Sequence, residues 1–409
     1  MNNKIKAAVA GAILASASVA NAGITWDAGE WTVDMNGNVN AFAIFSDTKD
    51  TTGPDGGFAA TQGTNADKDS VAISTGLLPA WLGFTATTRQ NDLDTSVTIS
   101  FQPGMGGNQG FTAGGNTENR QAFLTFGDKS WGSVKMGKDL GIFGSTAILN
   151  DMTLLGVGAT AFGNANGGAS GTTTTLGGIG TGYIYADWKG QFAYTTPNMN
   201  GFQATLGITQ PWNTQNAIGA AGDTSAVSSG STDQPAFEAQ ASYSWTGDFA
   251  GKAWVGAFSQ EVTNIDAANT DDDARAFEAG ISASVMNIGL TAYAYSGEGV
   301  GTSTMLMQGF DTAGEARDSD GGYVQATYVI PMGTKLGVSY GVSKLDDNAA
   351  DAGNNLVKEN NRLTIGAYHP LTKHLNLVAE YSAVESESHL ATQADAENDI
   401  FSVGAILFF

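Results

Sequence analysis

His369, His374 and His389 are the three imidazoles of this 409-residue chain. His389 follows Glu385 and Glu387, and that grouping is the one place where an acid–base pair could be sought. A catalytic histidine needs a rigid element and an adjoining nucleophile or carboxylate pair. His389 falls instead in a long polar stretch, and His369 and His374 border a short turn, so loop charge is the better reading. Three scattered histidines and no cysteine make neither a zinc set nor thiol chemistry. Asp271, Asp272 and Asp273 offer oxygen ligands to a divalent cation, but without the interspersed Gly and distal Glu of a dedicated calcium loop. The Gly-rich run Gly163–Gly171 lacks the Lys-[Ser/Thr] of a phosphate loop and opens no helix. No catalytic residue, resident metal or cofactor is expected, and the chemistry left is that of charges lining a surface.

Those charges are mostly acidic. The chain holds 18 basic and 40 acidic residues, and without the two lysines of Met1–Ala22 the remainder stands at 16 against 40, a net of −24. That balance argues against nucleic-acid binding. Much of the acid falls in polar stretches: Asp266, Asp271–Asp273, Asp346, Asp347, Glu385 and Glu387. Met1–Ala22 itself has Lys4 and Lys6, an Ala-rich apolar stretch Ala7–Ala20 and the small-x-small site Ala20-Asn21-Ala22. It reads as a signal peptide, with residues 23–409 as the mature chain. The apolar stretch is too short for a membrane helix, which takes about 20 residues, and no later segment approaches that length.

The elements that must carry the remaining residues are strands. Phe237, Ala239, Ala241, Tyr243 and Trp245 alternate with Glu238, Gln240, Ser242 and Ser244. Phe277, Ala279, Ile281, Ala283 and Val285 alternate with Glu278, Gly280, Ser282 and Ser284. Short connections such as Asn91–Asp94, Pro197–Gly201 and Pro331–Thr334 alternate with long ones such as Ser46–Leu78, Asp139–Gly180 and Glu385–Asn398. Seven short turns and eight long loops give sixteen strands, an even number with both ends on the short-turn side. The expected fold is all-β: a transmembrane 16-stranded antiparallel β-barrel. A sandwich rarely sustains this loop asymmetry, and no per-blade propeller motif recurs. Tyr194, Tyr243, Trp245, Tyr328, Tyr340, Tyr381 and Phe401 recur near strand ends, where interfacial girdles belong. The last strand, Asp399–Phe409, sets Phe401, Val403, Ala405, Leu407 and Phe409 on one face. It should close against a first strand around Thr32–Phe45. By the same parity Asp34, Glu238, Glu278, Glu380 and Arg362 face the lumen, where acids outnumber bases, and modest cation preference is expected.

Asn119–Gly141 resembles the general diffusion porins of Gram-negative bacteria: a strand opening with Arg, a Gly-containing turn, and a Gly-[Arg/Lys] strand end leading into the third loop. Asp187–Phe202 resembles the strand–turn–strand that follows that loop. The chain end, with Phe401, Leu407 and Phe409, is similar to the C-terminal signal read by the outer-membrane assembly machinery. The resemblance implies a homotrimer in the outer membrane, and a third loop, residues 139–180, folded into the lumen as a constriction between acids and basic wall residues. Asp151 matches the family's acidic Asp-Met step, whereas the second acid is replaced by Leu154-Leu155. Leu155 is assigned to the constriction, although both leucines could simply pin the loop. Arg120 matches the motif's Arg and is expected inward. Trp81 stands where the family often has Arg. Lys135 is inward by alternation, Lys138 takes the Gly-[Arg/Lys] position, and Asp139 begins the loop. Lys189 could add charge from the sixth strand. The implied function is passive diffusion of ions and small hydrophilic solutes, with lipopolysaccharide, bridged through divalent cations, and membrane lipid as neighbours. Alternatives are a substrate-selective porin, a structural or adhesive barrel presenting acidic loops, and, more remotely, a soluble all-β enzyme.

Overall fold

Strict alternation of apolar and polar residues suits a strand with lipid on one face and water or polar packing on the other. The computed structural model describes residues 23–49, 52–59, 69–104, 117–160, 174–212, 232–265, 270–303 and 306–409. The leader, Asp266 and the run Gly163–Gly171 lie outside the described residues. The strands are β1 (Ile24–Ala28), β2 (Trp31–Thr48), β3 (Asp69–Ser74), β4 (Trp81–Gln90), β5 (Leu93–Pro103), β6 (Thr117–Asp128), β7 (Gly132–Leu140), β8 (Trp188–Thr195) and β9 (Phe202–Thr209). They continue as β10 (Ala236–Trp245), β11 (Phe249–Val262), β12 (Asp272–Val285), β13 (Ile288–Glu298), β14 (Asp318–Val329), β15 (Lys335–Leu345), β16 (Val357–Pro370), β17 (Leu375–Ser388) and β18 (Ala396–Phe408).

Every ladder is antiparallel, and β2 explains how eighteen segments fill sixteen places. Its first half pairs with β1 on one edge and β4 on the other, and its second half with β18 and β3. Thus β1 and β18 lie end to end in one place, and β3 and β4 in another. β18 pairs with β2 and so joins the last strand to the first, the closure a lipid-embedded sheet requires. Phe409 continues that seam: its N–H donates to the Gly37 carbonyl at 3.0 Å, and the Gly37 N–H donates back at 2.9 Å.

The outward set is apolar and exposed, as in Phe277, Leu206, Phe237, Val255 and Ile365. Near the short turns it becomes an aromatic girdle: Trp31, Trp131, Tyr194, Tyr243, Phe249 and Tyr328. Several expected long loops are partly strand. β3 lies inside the Ser46–Leu78 stretch, and β17 and β18 run through Ser388 and from Ala396, leaving 389–395 as the connection. Polar composition hid these rungs, because residues such as Ser386 and Asn398 bond side chains inside the wall rather than water.

The long connections on that side interlock. Asp55 bonds the backbone of Asn355 and Val357. Arg317, after β13, meets Asp351, after β15, through two hydrogen bonds of 2.7 and 2.6 Å, and also donates to the Gln308 and Phe310 carbonyls. Burial alone would raise the Asp351 carboxyl, but the Arg317 guanidinium and the Asn348 N–H hold it below the usual carboxylate range.

Candidate functional site: the inner wall and the third long connection

The connection from β7 to β8 is where the sequence concentrates its unusual residues. A left-handed Gly144 (φ 76°) opens a short helix, α1 (Ser145–Asn150), and Asp151 then caps a 3-10 turn, Met152–Leu155, by accepting from the Thr153 N–H. So short a helix leaves many backbone N–H groups without partners of their own. The inner wall supplies them. Glu238 accepts from the Ile142 and Phe143 N–H groups at 2.7 and 2.8 Å, and its other oxygen takes Lys189 Nζ at 2.6 Å and Thr209 Oγ1 at 2.9 Å. Glu278 accepts from the Gly144 N–H and the Tyr293 hydroxyl. Glu380 accepts from the Val157 and Gly158 N–H groups at 2.7 and 2.9 Å and from the Tyr368 hydroxyl. Gln325 and Ser343 take the Met152 and Gly182 N–H groups. Wall carboxylates thus act as acceptors for the chain that crosses them.

Asp151 is not open to solvent. It is buried, takes the Tyr183 hydroxyl at 2.9 Å and lies 3.8 Å from Arg362 Nη2. Burial, followed by the neighbouring Asp151, pushes the Tyr183 hydroxyl well above the ordinary tyrosine range, so it stays a donor. Asp151, expected as an acid of the constriction, is a buried one: the turn that carries it packs against β14–β16. Glu238, Glu278, Glu380 and Arg362 share this burial. All four stand on the inward set, yet each is 4 % exposed or less, covered by the β7–β8 connection.

Apolar contacts complete the seat. Leu154 joins Leu77, Phe143, Ile148 and Ile179 in one cluster, and Leu155 joins Phe42, Met152, Val157 and Tyr368 in a second. Both leucines pin the connection. Inward aromatics on β11, β13 and β14 back the first cluster: Trp254 and Tyr293 stack 6.4 Å apart, and Tyr293 and Tyr323 lie 5.7 Å apart. Sequence reading missed this run, although Trp254 and Phe258 flank the inward Gly256 with the right period. Because it is buried, it packs the connection and does not form a water-exposed track.

Lys135 and Asp139 are two periods of alternation apart on β7 and form an ion pair, with Gln121 donating to Asp139 at 2.9 Å. Arg120 sits at a β-bulge opposite Ser100 and Gln102, where an extra residue resets the alternation and leaves Arg120 and Gln121 both buried. Its Nε donates to Glu118 at 2.8 Å, and its guanidinium lies 5.9 Å from the Trp188 ring centroid. Trp81 pairs with inward Asn38, and Asp34 stands on the inward set near the short turns, accepting from Asn36. Lys138 departs from expectation. It pairs with exposed Ala122 and is itself exposed, on the outer set, because Gly137 and Asp139 already occupy the inward positions on either side. Lys189 is inward and buried, 3.5 Å from the Trp212 ring centroid as well as bonded to Glu238.

His389 is tied to the Leu345 carbonyl at 2.7 Å and lies 3.4 Å from Asp347. Among the described residues no group of three or more His, Asp or Glu is disposed to hold a metal ion.

No curated protein matches this chain in sequence. The outer-membrane channel DcaP of Acinetobacter baumannii is similar in structure: TM-score 0.68, 17 % identity, covering 95 % of this chain and all of that one. The anion-selective porin from Comamonas acidovorans gives a TM-score of 0.62 at 16 % identity over 93 % of this chain and 100 % of that one. Salmonella typhi OmpF in complex with daunomycin gives 0.60 at 16 % identity over 94 % and 100 %. These likenesses speak to the fold. The family model described as Gram-negative porin matches residues 7–389. With that match across a closed sixteen-place barrel, the chain belongs to the Gram-negative porin family, as a multi-pass β-barrel channel of the outer membrane.

Proposed function

We propose that this porin is a passive, water-filled diffusion channel for ions and small hydrophilic solutes. The observation that carries the reading is the inner wall toward the short turns. There the inward set is hydroxyl-rich and partly exposed, with Thr85, Thr125, Thr195, Thr205, Ser242, Ser282 and Thr327, while its outward neighbours are apolar. Hydroxyls pair across strands, Thr85 with Thr98 and Thr195 with Thr205 at 3.0 Å each, leaving lone pairs free to bind water. Such a wall stays wet without binding one solute tightly.

The β7–β8 connection is proposed to narrow this channel, with Lys135, Asp139 and Arg120 beside the narrowing. A mild cation preference is proposed to arise at the outer mouth. The inward glutamates are buried and bonded, whereas Asp271, Asp273, Asp346, Asp347, Glu387 and Glu397 belong to the connections and strand ends on the long-loop side. A field of exposed charge is screened within about 8–10 Å at 0.10–0.15 M salt, so the preference should fade as salt rises. Assembly as a homotrimer is supported by similar structures such as OmpT of Vibrio cholerae in trimer form. Contact with lipopolysaccharide through divalent cations, and recognition of Phe401, Leu407 and Phe409 by the assembly machinery, belong to the same proposal.

Liposome swelling with a series of neutral sugars, together with reversal potentials in a KCl gradient, tests it. Size-graded sugar entry and a small potassium preference at low salt are expected. Exclusion of all sugars, or a preference for chloride, would overturn the corresponding half.

A further inference from the structure

Where the tip of the β7–β8 connection meets the barrel, the wall is broken. β3 ends at Ser74 opposite Phe42, and β4 begins at Trp81 opposite Asn38, so three residues of β2 face six of the neighbouring chain, Thr75–Ala80. The surplus turns toward the connection. Thr75, Leu77 and Ala80 are buried, and Leu77 enters the cluster containing Leu154 and Ile179. The Leu77 N–H donates to the Gly156 carbonyl at 2.8 Å, and the Thr175 N–H donates to the Gly76 carbonyl at 3.2 Å. Both arms of the connection are thereby gripped from the same six residues.

Ladder bonds lost at the break are made up by side chains. Inward Asn38 and Asn40 donate to the Pro79 and Leu78 carbonyls at 3.1 and 2.9 Å, and Asn40 accepts from the Gly76 N–H at 3.0 Å. Asn40 also donates to Asn38 at 2.9 Å. Gly76 has no room for a side chain, because a Cβ there would run into the Gly156 carbonyl oxygen and the Phe42 ring. On the far side of the tip, Val157 and Gly158 are held by Glu380. Residues 156–158 therefore sit between a carboxylate on β17 and the break beside β2.

We infer that Thr75–Ala80 is a clasp that fixes the tip of the β7–β8 connection and so sets the channel's size cutoff, with Asn40 as its positioning residue. This rests on the diffusion-channel reading. Released from the clasp, the tip remains attached through Glu380 but loses its hold on the β3–β4 side, and the aperture becomes wider and noisier.

The chain's lack of cysteine makes the test clean. Val157→Cys, fully buried in the parent, reports on the tip through its reaction with a water-soluble maleimide. Combined with Asn40→Ala, labelling should accelerate about tenfold or more, since several hydrogen bonds are lost together. Larger sugars should enter liposomes, and heat-modifiable folding of the barrel should be unchanged. Gly76→Val, which leaves Asn40 intact and pushes on Gly156, should produce the same shift, and serves if Asn40→Ala fails to fold. Unchanged labelling and sugar cutoff in folded, conducting variants would overturn the clasp. A parent protein that conducts nothing would overturn the channel reading instead.

Discussion

Glu238→Gln is the sharpest perturbation of the seat. Glu238 gathers two backbone N–H groups from the root of the β7–β8 connection, a lysine ammonium and a threonine hydroxyl, all at 2.6–2.9 Å. The Lys189 and Glu238 side chains are 3 % and 0 % exposed. Neutralising one member of so buried a pair leaves an uncompensated charge, at a cost of about 3–5 kcal/mol. The Trp212 ring, 3.5 Å from Lys189 in this desolvated site, offsets about 2 kcal/mol of that cost. Subtracting it leaves roughly 1–3 kcal/mol, or about five- to 150-fold in the equilibrium for lifting the connection's root. Ala147→Cys, buried beneath Tyr323, is the reporter. Its thiol should react about five- to 150-fold faster with a maleimide in the Glu238→Gln background, and single-channel records should show added open-state noise. Equal labelling rates and identical noise in the two backgrounds would refute the idea that wall carboxylates hold the connection.

Further outcomes follow from the same geometry. Asp151→Asn should loosen the connection, by noise or thiol labelling, yet leave the reversal potential unchanged, because the carboxylate is shielded by Arg362 and Tyr183. Lys138→Ala should not alter ion selectivity, since Lys138 stands on the outer set, whereas Lys135→Ala should shift it toward cations. The Arg317–Asp351 pair should stabilise the outer connections at neutral pH. Its contribution is complete above the ordinary carboxylate range and is lost as pH falls through the lowered value of Asp351, so protease nicking of 299–317 and 346–356 should rise only in strong acid. Arg317→Gln should bring that nicking to neutral pH.

The barrel was legible because period-two alternation and loop lengths are local signals. Glu238 and Glu278 announce an inward face by the company of Phe237 and Phe277. What alternation cannot show is what lies over an inward residue. Glu238, Glu380 and Asp151 looked like channel charges, and the folded connection made them anchors. Arg120 and Lys138 illustrate the opposite limits of parity. A bulge near Gln102 resets it for Arg120, and the unbroken β7 ladder enforces it against a motif-based placement for Lys138. Most of the break at Thr75–Ala80 was hidden within the Ser46–Leu78 stretch read as loop, though the alternate asparagines Asn36, Asn38 and Asn40 were a visible sign of an inward row with unusual partners.

Adjacent residues on β6 give the most direct test of a water-filled channel. Thr125 pairs with Ser96 and Lys135 on the inward set, and Leu124, 44 % exposed, pairs with Val97 and Met136 on the outer set. Thr125→Cys and Leu124→Cys channels in planar bilayers should both open in ohmic steps. A charged, water-soluble thiol reagent should reduce the step size of the Thr125→Cys channel and leave the Leu124→Cys channel unchanged. Absence of steps, or equal sensitivity at the two positions, would contradict a water-filled channel lined by the inward set.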